Sequence, residues 1–201
     1  MNIEQVSYYV SFAAFAIVIL SWFIFGGAFF LRKRPKASPD AVNAPRSWAG
    51  LVLQGLAYVP VWAAQRRPMF SDFIPNDAAN IAIQTLAVFC AAGSAFLALA
   101  AVKELGKQWS LEARLVEGHK LVMTGPYNLV RHPIYTAMLG MLIATGIVIS
   151  HWAVVIPAVI VFLVGTYIRT RFEERLLSDA FGEEFANWKA RVPGLIPFVK
   201  I

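Results

Sequence analysis

Charge is scarce in this sequence. Asp, Glu, Lys and Arg make up 15% of its 201 residues and hydrophobic residues 58%, whereas an average soluble domain is about a quarter charged. That balance excludes an ordinary water-facing surface. Cysteine is almost absent: Cys90 alone, inside an apolar run, excludes an intrachain disulfide and leaves the redox compartment unread. The three histidines, His119, His132 and His151, have no ligand spacing, and there is neither HExxH nor a cysteine pair, so no metal is expected. GxGxxG and P-loop patterns are missing, which excludes a soluble nucleotide-binding fold, and no serine sits in a GxSxG elbow. The long apolar runs are nearly free of charge, unlike the lining of an ion channel. Polar chemistry gathers at one face rather than at midplane, which weighs against a transporter.

What is present is a series of apolar segments of the length that crosses a bilayer. They run over 7–31, 47–65, 78–102, 134–149 and 152–168. The fourth is short, about 24 Å at 1.5 Å per residue, so it either starts in the headgroup layer or is covered by protein. Only Ser150 and His151 separate it from the fifth, which implies a tight antiparallel hairpin. Pro60 suggests a kink in the second, and the small residues of CAAGSAFLALAA (90–101) permit close helix approach in the third.

Basic residues set the orientation. If the N-terminus lies outside, all of the 18 lysines and arginines except Arg66 and Arg67 fall on the cytosolic side. The first 31 residues lack a basic region before the apolar run, which favours a retained first span over a cleaved signal peptide. The net charge of +6 therefore points to anionic lipid headgroups rather than nucleic acid. The expected fold is an all-α integral membrane protein with five transmembrane helices, the last two a hairpin, N-terminus out and C-terminus in. A cytosolic amphipathic helix follows, interrupted around Gly182, with Phe172, Leu176, Leu177, Phe181, Phe185 and Trp188 as its apolar positions. All of 1–201 forms one membrane domain, with three spans in 1–102 and the polar chemistry in 103–201.

Two constellations carry possible chemistry. In GPYNLVRHPIYTAMLG (125–140), Gly125 and Pro126 make a turn, and Pro133 restrains His132 before the next helix, so Arg131 and His132 stand on held backbone. Arginine can clamp a carboxylate, and histidine can exchange a proton near neutrality. The competing reading is an interfacial anchor with Tyr127 and Tyr135 in an aromatic belt. The second constellation is Arg169, Glu173 and Glu174. Arg169 and Glu173 stand at i,i+4. Adjacent acids on a helix point apart, so one can pair while the other faces a ligand; a solvated charged helix is the plain alternative. His119 lies in a polar loop, either exposed or turned into a pocket, and His151 is an interfacial residue at the other end.

Together, LGKQWS (105–110), EGHKLVMTGPYNLVRHPIYTAMLG (117–140) and FEERLLSDAFGEEFANWKARVPGLIPF (172–198) resemble the isoprenylcysteine carboxyl methyltransferase family, and more distantly the phospholipid N-methyltransferases. Ala137 departs from the glycine many members carry there. The resemblance implies S-adenosyl-L-methionine as cofactor, bound at the cytosolic face in the half 103–201. It implies a pocket lined by His119, Tyr127, His132 and Tyr135 and framed by Gly125 and Pro133. Arg131, Glu173 and Glu174 would be the catalytic residues. A lipophilic acceptor reaching the site from the bilayer follows, its reacting group a carboxylate, with an amine or thiol as the alternative. A sterol-reductase-like enzyme using NADPH and a non-catalytic scaffold or transporter component are the remaining readings.

Overall fold

The computed structural model describes residues 2–30, 47–66, 73–108, 120–197 and 199, apart from the Lys107 side chain. Among them the chain forms five α-helices: α1 Ile3–Phe30, α2 Trp48–Ala63, α3 Asp77–Leu105, α4 Pro133–Ile149 and α5 Trp152–Arg191. The only β pairing among these residues is one isolated bridge, Gln65 to Ser150. The starts and stops follow local chemistry. Asn76 caps α3 by accepting the Ala79 amide at 2.9 Å, Gly106 ends that helix, and Pro133 opens α4 in the first turn, where its missing N–H costs nothing.

Three helices, α1, α3 and α5, are long and apolar enough to cross a membrane, while α2 and α4 are shorter apolar helices of 16 and 17 residues. The outward faces carry Phe23, Leu86, Phe89 and Phe96, each largely exposed. Apolar surface of that extent is suited to lipid rather than water. This is a helical membrane protein.

Helix α4 is the centre of the bundle. It touches all four other helices, with α1 and α3 packed together on one side and α2 and α5 on the other. Met141, Leu142, Ala144 and Thr145 are fully buried. Of the two explanations for its shortness, cover by protein is the one the structure supplies. The small face of α3 is spent inside the molecule: Ala87, Ala91, Ala95 and Ala98 pack in one core with Ala14 and Val18 of α1 and Ala137 and Met141 of α4. On the other side α2 and α5 meet backbone to backbone, and a Cβ on Gly50 would stand 2.5 Å from the Gly165 carbonyl oxygen.

Buried polar groups tie these layers together, as they must where no water competes. Trp22 Nε1 donates to Thr145 at 2.9 Å, the Tyr58 hydroxyl to the Met138 carbonyl at 2.6 Å, and Gln54 Nε2 to Thr166 Oγ1 at 2.8 Å. Arg66 is 4% exposed. Its guanidinium donates to the carbonyls of Ile147 at 2.9 Å and Val148 at 2.8 Å, and to that of Ser150, closing the C-terminal end of α4.

One expectation needs correction. The amphipathic helix is not separate from the fifth apolar segment. No glycine or proline falls between Ile168 and Phe181, so α5 continues for 40 residues to Arg191 and turns only at Gly182, whose φ is +48°.

Candidate functional site

The site forms where α4 begins and α5 leaves its apolar stretch. Gly125–Asn128 is a 3-10 turn, and Gly125 takes a φ of +58° with its Cα facing the Glu104 side chain. Pro133 is buried at the first position of α4. The C-terminal segment then crosses this corner as a strap. Arg131 N donates to Pro193 O at 2.8 Å, His132 N to Gly194 O at 3.0 Å, and Thr136 Oγ1 to Leu195 O at 2.6 Å. The strap satisfies backbone donors that a proline-started helix leaves exposed.

On this scaffold two carboxylates converge on one imidazole. His132 Nε2 lies 3.1 Å from Glu174 Oε1, and its Nδ1 lies 3.7 Å from Glu173 Oε2. Its ring stacks on Tyr135, with centroids 5.8 Å apart. Glu173 also accepts from the Tyr135 hydroxyl at 2.5 Å and from Arg169 Nε at 2.8 Å, and Arg169 Nε lies 2.9 Å from that hydroxyl. Glu174 takes Arg131 through Nε at 2.9 Å and Nη2 at 2.8 Å, and Lys189 Nζ at 2.7 Å. The expectation that one acid pairs while its neighbour is left for a ligand does not describe this arrangement. Both are paired, because Tyr135 and Arg169 reach Glu173, Arg131 and Lys189 reach Glu174, and His132 stands between the two.

Burial pushes the Glu174 carboxyl up. The hydrogen bonds from His132 and Lys189, with the charges of His132 and Arg131, outweigh that and hold it well below the usual carboxylate range. Arg131 stands behind it. Beyond Glu174, its Nη1 donates to the carbonyls of Lys189 at 3.3 Å and of Val192, so the guanidinium joins carboxylate, α5 and strap.

Arg131, His132, Tyr135, Glu173 and Glu174 are thus brought into one cluster. Tyr127 stands a layer away, packed with Ala101, Phe185, Trp188 and Val192, and its carbonyl accepts from Trp188 Nε1 at 3.3 Å. Burial, then the charges of Glu173 and Glu104, push its phenol up, so it stays protonated. His119 lies outside the described residues. His151 caps α5 at the opposite end of the bundle. Lys189 was missed as a site residue: it is one of several exposed cations along the tail, and only the turn at Gly182 carries it back to Glu174. Beside Glu174 and Lys189 opens a cleft of about 540 Å³, also lined by Arg171, Phe172, Arg175, Asp179 and Phe185. Among the described residues no cluster of histidine, cysteine and acidic side chains suits a metal ion.

Fold and site together define a helical membrane protein with a buried acid–histidine–arginine cluster at one end of its central helix. A family model described as phospholipid methyltransferase matches residues 82–184, and the chain belongs to that family. The match contains all five clustered residues. The chain is 32% identical over 89 residues to protein-S-isoprenylcysteine O-methyltransferase B of Arabidopsis thaliana, covering 44% of this chain and 45% of that one. It is 33% identical over 96 residues to the cobalt-zinc-cadmium resistance protein CzcN of Cupriavidus metallidurans, covering 46% and 43%. The protein-S-isoprenylcysteine O-methyltransferase of Mus musculus is 34% identical over 84 residues, covering 41% and 29%. The chain therefore spans less than half the length of the relatives it matches.

Proposed function

We propose that this protein is a membrane methyltransferase that uses S-adenosyl-L-methionine and acts at the cytosolic face on a lipophilic acceptor. The observation that carries the reading is the pair Glu173 and Glu174, both in contact with His132 at the boundary of the apolar bundle, within the region of the family match. The distribution of basic residues supports five spans with the N-terminus out and the C-terminus in, an orientation in which that boundary faces the cytosol.

The donor set suits this cofactor. Its cationic sulfonium and ammonium groups and its ribose hydroxyls call for carboxylate acceptors, and its adenine calls for flat aromatic neighbours. Glu173 and Glu174, each paired within the chain yet with lone pairs left over, supply the first; His132 and Tyr135 supply the second. When bound, S-adenosyl-L-methionine supplies a methyl group already activated by the positive sulfur. The residues of the chain then have to bind, orient and exclude water. Arg131 and Lys189 hold Glu174 ionised and fixed, Arg169 and Tyr135 fix the Glu173 side chain in place, and Gly125 and Pro133 shape the backbone on which His132 stands.

For the acceptor we infer a carboxylate on an isoprenylcysteine-like molecule, in keeping with the activity named for the Arabidopsis and mouse relatives. A carboxylate is nucleophilic at neutral pH and gives up no proton when methylated, so no residue needs to act as base. An amine acceptor would require one.

The test is calorimetric titration of the detergent-purified protein with S-adenosyl-L-methionine, its demethylated product and NADPH, repeated on Glu174→Gln. Binding of the first two, weakened at least tenfold by the substitution and absent for NADPH, is expected. Binding of NADPH alone would move the protein to the reductases.

A further inference from the structure

We propose that the cleft between the two arms of α5 is a binding site for the phosphate of an anionic bilayer phospholipid. The cleft lies between Arg171–Asp179 on the first arm and Phe185–Lys189 on the second, folded together by the turn at Gly182. It holds three cations and two acids. Glu174 is already bonded to Arg131 and Lys189, so Asp179 is the one acid there set against Arg171 and Arg175. Neither arginine has an ion-pair partner among the described residues. The guanidinium of Arg171 lies 5.7 Å from the centre of the Tyr167 ring. Two exposed guanidiniums in a concave wall are a phosphate-binding chemistry, because each presents forked donors to the oxygens.

The route into the cleft selects a lipid. Ile156, Ile160, Val164 and Tyr167 are all exposed and follow one another at helical spacing along a single face of α5. Arg171 and Arg175 continue that same row at i+4 steps. An acyl chain lying on the apolar part of the row reaches the interface at Tyr167, where an aromatic ring suits the headgroup boundary. Its phosphate then comes level with the two arginines, while Phe172 and Phe185 line the cleft with apolar surface. A free phosphate compound would gain nothing from the row. A zwitterionic headgroup would bring a second cation toward Arg171 and Arg175. This inference concerns lipid binding and does not depend on methyl transfer.

Native mass spectrometry of the full chain, titrated in detergent with phosphatidylglycerol, phosphatidylcholine or inorganic phosphate, tests it. Phosphatidylglycerol is expected to bind one per chain and to outcompete phosphatidylcholine. Arg171→Gln and Arg175→Gln should each weaken it about fivefold, and the pair about 25-fold, corresponding to about 1 kcal/mol per basic residue at a membrane surface. Arg191→Gln, an exposed arginine outside the cleft lining, should leave it unchanged. If the double variant does not fold, the two single variants decide. Equal weakening by Arg191→Gln would show diffuse charge attraction and overturn the site. Displacement of the lipid by inorganic phosphate at comparable concentration, or equal binding of phosphatidylcholine, would overturn the anionic lipid as its occupant.

Discussion

Glu174 takes bonds from Arg131, His132 and Lys189. Its folded carboxyl sits below the unfolded value of about 4.3, so the stability it contributes is fully present above that value. That contribution declines as the pH falls below about 4.3 and is gone once the pH has passed the folded value. The difference in melting temperature between wild type and Glu174→Gln should therefore stay flat from pH 8 to about pH 5 and shrink in more acid solution. A difference that grew on acidification would contradict the ion-pair assignment. Arg131 and His132 were legible because polar side chains are costly in so apolar a chain and these two stand beside Pro133, which holds the backbone; Glu173 and Glu174 were legible as adjacent acids just beyond an apolar span. Their partners were less so. Arg169 could be read as the i,i+4 neighbour of Glu173, and the structure puts them 2.8 Å apart. Lys189 could not, since nothing local distinguishes it from Arg191.

At the scale of the helices, close approach decides which segments pack. Gly50→Ala would drive a methyl into the Gly165 carbonyl, and a cost of about 1–3 kcal/mol is expected from overpacking. Gly55→Ala on the same helix meets nothing within 4 Å and should be neutral or slightly stabilising. Thermal unfolding of both variants in detergent separates a contact effect from a helix-propensity effect. At the opposite end, Arg66→Ala removes the cation that closes α4 and should cost about 2–3 kcal/mol, with Arg66→Lys recovering part of it. Equal stability of the alanine variant would mean that the carbonyls find other donors. The segment boundaries were readable from apolar length and from Pro133, Ser150 and His151. That α4 is the central helix was not, because all five segments are similarly apolar and hydropathy does not distinguish lipid from protein as surroundings.

Over the whole molecule, the C-terminal strap completes the site. Deleting 192–201 would leave the amides of Arg131 and His132 without Pro193 and Gly194 and remove the Val192 carbonyl from Arg131. The truncated chain should keep the helical content of the bundle by circular dichroism yet bind S-adenosyl-L-methionine at least tenfold more weakly. Unchanged binding would show that the corner around His132 holds itself. The apolar runs by themselves determined that this is a helical membrane protein, and the spacing of GPYxxxRHPxY with the later acids determined which end carries the polar chemistry. Both are local properties: an apolar run has to satisfy its backbone within its own helix, and prolines and glycines act on adjacent residues. Tertiary structure decided that Glu173 and Glu174 both close on His132, and that Lys189 and the strap return to the corner. Those outcomes depend on which buried donor reaches which acceptor across distant parts of the chain, a choice made only when the helices pack.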